Sequence, residues 1–283
     1  MSRLHDAPPA KSALTAAFTL IEMSIVLVII GLIVGSVLVG RNLIRAAEVR
    51  SIISDIEKFN TAANTFRGKY DCIPGDCATA TNYFPAVSGG CTGGGVPSVS
   101  ATCNGNGNGV VDDTGFAGNS GYAETLLFWQ HLALAGLIPG SYTGNSYYPP
   151  AVPSSRISGT CYSMTNPANG ILAPYTFSAA TSAPNVFTFG SPIEPDNNWN
   201  SGSMCMWGYG AIGTADAYGL DLKIDDGHPD TGTVTVLSNL DVPKSVYPSG
   251  FGPNPCVNYT STPYAYNLAL SGNWCMLIFK AQF

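Results

Sequence analysis

Hydrophobic and polar positions give this chain three successive textures. Residues 23–40 hold 18 consecutive positions without a charge. As a helix such a run measures roughly 27 Å, close to the ~30 Å hydrocarbon core of a bilayer. It is apolar on every side, so it calls for lipid or other apolar helices around it. The pattern then becomes one-sided. Val49, Ile52, Ile56, Phe59, Ala63, Phe66 and Tyr70 recur at steps of three and four, while Arg50, Ser54, Glu57, Lys58, Thr61 and Asn64 fall elsewhere. That spacing places the first set on one helical face. No proline interrupts residues 18–72, so a single helix is predicted over 18–70. Its first part (18–40) suits a membrane, and its amphipathic second part (41–70) needs a partner from the rest of the chain.

Past Tyr70 the helical period stops. Pro74-Gly75 marks a turn, and residues 87–121, rich in Gly, Ser and Asn, read as loop. Residues 124–137 predict a short buried helix ending near Pro139-Gly140. With Gln130 and His131 inside it, that segment is too short and too polar for a second span. Residues 185–190, 231–237 and 276–279 predict strands between turn clusters. The fold class expected is α+β: a long N-terminal helix packed on an antiparallel β-sheet with loop-rich insertions.

Composition sharpens this picture. Only 11% of the 283 residues are charged, but the spread of aromatics can seed a core, so a folded, loop-rich head over 71–283 is expected rather than disorder. That head carries four basic and thirteen acidic side chains, which excludes the Lys/Arg surface that nucleic acid requires. Residues 1–17 are short, polar and Pro/Ala-rich and read as a leader. The small pair Ala16-Ala17 precedes the apolar run, the reverse of the order that signal peptidase uses.

One charge sits at the edge of the apolar run, in Phe18-Thr19-Leu20-Ile21-Glu22-Met23. A carboxylate there has a partner or a function, or it favours the positive end of the helix dipole. The stretch Ala17-Phe18-Thr19-Leu20-Ile21-Glu22-Met23, followed by about eighteen apolar residues, resembles the N-terminal signal of type IV prepilins and type II secretion pseudopilins. The resemblance implies cleavage by a prepilin peptidase between Ala17 and Phe18, with methylation of the new amine. It implies an assembly role for Thr19 and Glu22, with Glu22 facing a neighbour's N-terminal amine. Ala17 stands where that family usually has Gly, and the proline that kinks many family helices is missing. The segments 66–76, 128–138 and 224–232 resemble parts of large bacterial pilin-like proteins. Partners implied are copies of the chain or other pilins in a helical filament, the prepilin peptidase and an inner-membrane assembly platform. The implied location is the inner membrane for the precursor, then a periplasm-spanning or extracellular filament.

The eight cysteines all lie in the head, where pilin-type topology places them in an oxidising compartment. Eight cysteines allow about 105 connectivities, among which local pairing suggests Cys72–Cys77, Cys91–Cys103, Cys161–Cys205 and Cys256–Cys275, the last resembling the C-terminal loop disulfide of many pilins. Zinc is the rival, but the spacings lack a C-x2-C signature. Asn104, Asn106, Asn108 and Asp112 place oxygens at alternate positions around glycines, the layout of a calcium loop. Asp221, Asp225, Asp226 and Asp230 form a second acidic turn, in the region where some pseudopilins bind calcium. Calcium is thus the one cofactor suggested. Gly208-x-Gly210-x-x-Gly213 matches a dinucleotide fingerprint without its βαβ setting. His131 is expected in the core, and no nucleophile elbow or H-E-x-x-H occurs, so no enzyme is expected. The readings carried forward are a filament subunit, a minor tip subunit or adhesin, a type II secretion pseudopilin, and a membrane-anchored exported enzyme or receptor.

Overall fold

The computed structural model describes residues 19–89, 91, 97–112, 123–145, 151–168, 182–191, 210–237 and 255–283. The chain forms two compact units, Met1–Ala47 and Glu48–Phe283. The boundary between them falls inside helix α1 (Leu20–Tyr70), some residues past the change of texture at residue 40.

In the second unit, α1 buries Ile52, Ile56, Phe59, Ala62, Ala63, Phe66 and Tyr70, nearly the face that the spacing of apolar residues predicts. Each large side chain so buried contributes about 1.5–3 kcal/mol. Phe59 is the centre of that contact. Its ring lies 4.8 Å from Trp129, 5.2 Å from Tyr162 and 6.1 Å from Phe187, so it joins α1 to helix α2 (Glu124–Leu134) and to the sheet.

The main sheet is antiparallel, in the order β1 (Cys161–Thr165), β2 (Val186–Gly190), β8 (Leu277–Lys280), β4 (Val234–Val236). The registers bring Tyr162, Phe189, Leu277 and Val236 into one cross-strand row, and Met164, Phe187, Phe279 and Val234 into the next. These rows face the core shared with α1 and α2. The alternate row, Ser163, Thr188, Ile278 and Thr235, is also buried, so these strands lack the polar–apolar alternation of a half-exposed sheet. Two small ladders complete the strands: β3 (Ile212–Gly213) with β7 (Asn273–Cys275), and β5 (Val257–Asn258) with β6 (Ala265–Tyr266).

Several boundaries differ from the sequence expectation for local reasons. Helix α2 stops at Leu134 rather than 137. Gly136 (φ +71°) takes the left-handed position, with Leu137 N–H donating to Leu132 O and Gly136 N–H to Ala133 O, a Schellman stop. The strand expected at 231–237 is observed over Val234–Val236, and Asp225 accepts the Thr233 and Val234 N–H groups at its start. Helix α3 (Thr214–Ile224) was not expected at all. Gly213, last residue of the G-x-G-x-x-G match, ends β3 and precedes α3, but β3 pairs antiparallel with β7. The parallel βαβ setting of a dinucleotide site is therefore not what this glycine serves.

Candidate functional site: an exposed apolar helix and its first turn

The first unit consists, in its described residues, of the N-terminal half of α1. From Leu20 to Ile44 the large apolar side chains are exposed: Leu20 by 89%, Leu27 by 69%, Leu32 by 69% and Leu43 by 67%. Among the described residues this is one helix long and apolar enough to cross a membrane. Its two serine hydroxyls are turned back on the helix backbone. The Ser24 hydroxyl donates to Ile21 O at 2.9 Å, and the Ser36 hydroxyl to Ile33 O and Leu32 O. Such back-bonding removes the donors that would resist apolar surroundings. Gly31 and Gly35 lie four apart, and an added Cβ at either meets nothing within 4 Å. This G-x-x-x-G spacing lets a neighbouring helix backbone approach closely. The sequence reading passed over it, although the spacing was there to find.

The helix begins with a reciprocal clasp. Glu22 Oε2 accepts the Thr19 backbone N–H at 2.8 Å and the Thr19 hydroxyl at 2.7 Å, while Thr19 Oγ1 accepts the Glu22 N–H at 3.3 Å. This is a capping box, which ties up donors that a helix start leaves orphaned. The T-x-x-E spacing signals this box in the sequence, alongside the dipole, partner and assembly readings of Glu22. Ala17 and Phe18, the expected processing junction, lie outside the described residues.

In the head, Cys72 pairs with Cys77, Cys91 with Cys103 and Cys256 with Cys275, at Cα separations of 5.1, 5.9 and 5.3 Å. These are three of the four local pairs that the spacing suggests. Cys161 is also disulfide-bonded, but Cys205, its expected partner, lies outside the described residues.

The two suggested calcium sites are built differently. In the 104–112 loop the asparagine oxygens are turned to backbone. Asn104 Oδ1 accepts from Thr81 N–H at 2.8 Å, Asn106 Oδ1 from Asn108 N–H and Asn108 Oδ1 from Val110 N–H, both at 2.9 Å. The loop folds instead around the carboxylate of Asp76, which accepts the N–H groups of Gly107, Asn108 and Gly109 at 2.6, 3.0 and 2.7 Å. Glu124 closes it from α2, accepting from Asn106 N–H at 2.7 Å and Asp112 N–H at 3.2 Å. Burial, with Asp76 and Asp112 nearby, pushes Glu124 up to about 7, and burial likewise raises Asp76. Neither Asp76 nor Glu124 was singled out from the sequence, because their partners lie up to 33 residues away.

At the late turn, oxygens of Asp221, Asp225 and Asp226 lie within 4.8 Å of one another. Asp230 is spent elsewhere, accepting the Tyr264 N–H at 3.0 Å. An all-oxygen set suits a hard cation. Each carboxylate also ties down protein: Asp221 accepts from Tyr266 OH at 2.7 Å and Gly227 N–H at 3.2 Å, and Asp226 from the Thr231 hydroxyl at 2.6 Å. Burial, then repulsion from Asp226 and Asp225, pushes Asp221 up to about 7.

His131 is fully buried, packed against the rings of Phe66 and Phe84 at 6.1 and 6.2 Å, which also stack on each other at 6.2 Å. Its Nδ1 accepts the Gly75 N–H at 2.9 Å, which leaves Nε2 as donor toward Thr102 Oγ1 and Cys103 O. Burial holds it down at about 4. Both nitrogens serve the fold. No protein-family model, curated protein or solved structure matches this chain.

Proposed function

We propose that the chain is a structural subunit of a type IV pilus-like filament, assembled through the N-terminal half of α1 after removal of residues 1–17. The observation that carries this reading is the contrast along one continuous helix. The large apolar side chains of its first half are exposed, whereas its second half buries a matching face in a disulfide-bearing head. A helix apolar all round is stable in lipid or among its own kind. The precursor rests in the inner membrane through this segment. Assembly exchanges lipid contacts for contacts between α1 copies, with the Gly31/Gly35 face allowing close approach.

Glu22 gives the exchange its register. Cutting before Phe18 places a new amine one residue ahead of the Thr19–Glu22 box, and Glu22 can trade its clasp for the amine of a neighbouring subunit. A charge-assisted pair in apolar surroundings is worth more than the hydroxyl it replaces. The head serves structure rather than chemistry in this reading, and no enzyme activity is assigned to it.

Glu22→Ala tests the proposal. Membrane insertion and cleavage persist, but the subunit disappears from sheared surface fibres. Normal incorporation of the variant contradicts the reading. Abundance in those fibres separates a major subunit, which dominates them, from a minor tip subunit or adhesin. Retention in a short periplasmic structure points to a pseudopilin.

A further inference from the structure

The loop wrapped around Asp76 contains Asn104-Gly105, Asn106-Gly107 and Asn108-Gly109 in succession. Asn followed by Gly is the pair most prone to cyclise, because glycine lacks the Cβ that would hinder the approach. The glycine nitrogen, having lost its proton, attacks Asn Cγ. The new N–C bond forms, the Cγ–Nδ2 bond breaks, and ammonia leaves carrying a proton. Water then opens the imide to aspartate or isoaspartate. Water is the only co-reactant, and Asn104, Asn106 and Asn108 are all exposed to it.

Each attacking N–H in this loop is already committed. Gly107 N–H donates to Asp76 Oδ1 at 2.6 Å and Gly109 N–H to Asp76 Oδ2 at 2.7 Å, whereas Gly105 N–H donates to Cys77 O at 3.0 Å. Stripping a proton from a nitrogen that donates to a carboxylate places two negative charges together. The electrophilic side chains are held as well, through the bonds of Asn106 and Asn108 to the amides two residues on and of Asn108 Nδ2 to Asp112 at 3.3 Å. Asp76, 3% exposed, sits beside the Cys72–Cys77 disulfide that fixes the exit of α1.

We infer that residues 104–109 are a deamidation site kept closed by the fold, with Asp76 suppressing imide formation at Asn106 and Asn108 and the Cys77 carbonyl doing so at Asn104. Opening is self-reinforcing. Each event adds a carboxylate to a loop already facing Asp76, Asp112 and Glu124, and like charges loosen it further.

The test is peptide mass spectrometry of the full-length protein in detergent during incubation in mildly alkaline buffer, beside the same chain reduced and denatured. In the folded protein all three asparagines convert about tenfold to a hundredfold more slowly than in the denatured chain, the protection expected when the attacking N–H is held in a hydrogen bond, charge-assisted at Asn106 and Asn108 and neutral at Asn104. In Asp76→Ala, Asn106 and Asn108 accelerate toward the denatured rate while Asn104 stays slow, which also reports that the fold persists. Asp76→Asn, which keeps one acceptor, lies between. The inference is overturned if Asn106 and Asn108 convert as fast folded as denatured, if Asp76→Ala leaves them slow, or if that variant releases all three alike.

Discussion

A carboxylate at the lip of an apolar helix must find hydrogen-bond donors, and Glu22 finds them on Thr19. Thr19→Val therefore weakens the helix start by about 0.5–2 kcal/mol. Faster hydrogen exchange of the first-turn amides, with residues 48–283 unchanged, would register that loss. In the head, pH acts through buried groups of opposite sign. Glu124 and Asp221, pushed up to about 7, hold protons that the unfolded chain releases. Their contribution is full below the unfolded value near ~4 and fades as pH rises through about 7. Asp76 shifts in the same direction. His131, held at about 4, opposes them, since its contribution fades as pH falls from ~6.5 toward that value. The acids outnumber it, and above ~6.5 they act alone. The melting temperature of the protein accordingly falls between mildly acidic and mildly alkaline pH, and Glu124→Gln flattens that slope. A melting temperature that rises over the same range contradicts this balance. At this scale the sequence displayed Glu22 through its odd setting and Asp221 through its acidic turn, but not Asp76 or Glu124. A carboxylate that binds backbone amides distant in the chain leaves no local pattern.

Helix α1 was legible because a repeat of three and four over residues 49–70 has no competing explanation. The alternative of a half-exposed strand would have required alternation that these residues lack. The strands were legible only in part. β2 and β8 carry dense apolar runs, but β1, Cys-Tyr-Ser-Met-Thr, mixes small polar and large apolar residues, and both of its faces are buried. Helix α3 escaped notice because Thr214–Ile224 contains Gly219 and two aspartates, residues of weak helix propensity, and its stability comes from packing Ala217 and Leu220 into the core. Two substitutions probe how the elements are joined. Phe59→Ala removes the ring that links α1, α2 and the sheet and lowers stability by about 3–5 kcal/mol, measurable by denaturant unfolding of the head. Gly75→Ala places a Cβ 2.5 Å from Glu124 O at φ +86°, and the strain costs about 1–3 kcal/mol. The same unfolding assay reads it.

Over the whole molecule, exposure divides along α1, apolar and open in its first half and buried on one face in its second. Residues 48–283 form a compact unit with its own core and disulfides, and produced alone they are expected to fold as a water-soluble monomer. The full chain requires detergent, lipid or its own copies to cover the residues from Leu20 to Ile44. Aggregation of the isolated 48–283 unit would mean that the head depends on the apolar half. Filament assembly as proposed requires a cut at the junction of Ala17 and Phe18. Mass spectrometry of the N-terminal peptide from a sheared cell-surface fraction tests it most directly. A peptide that begins at a methylated Phe18 is expected, whereas protein confined to membranes with residues 1–17 intact would contradict filament assembly and leave a singly anchored head.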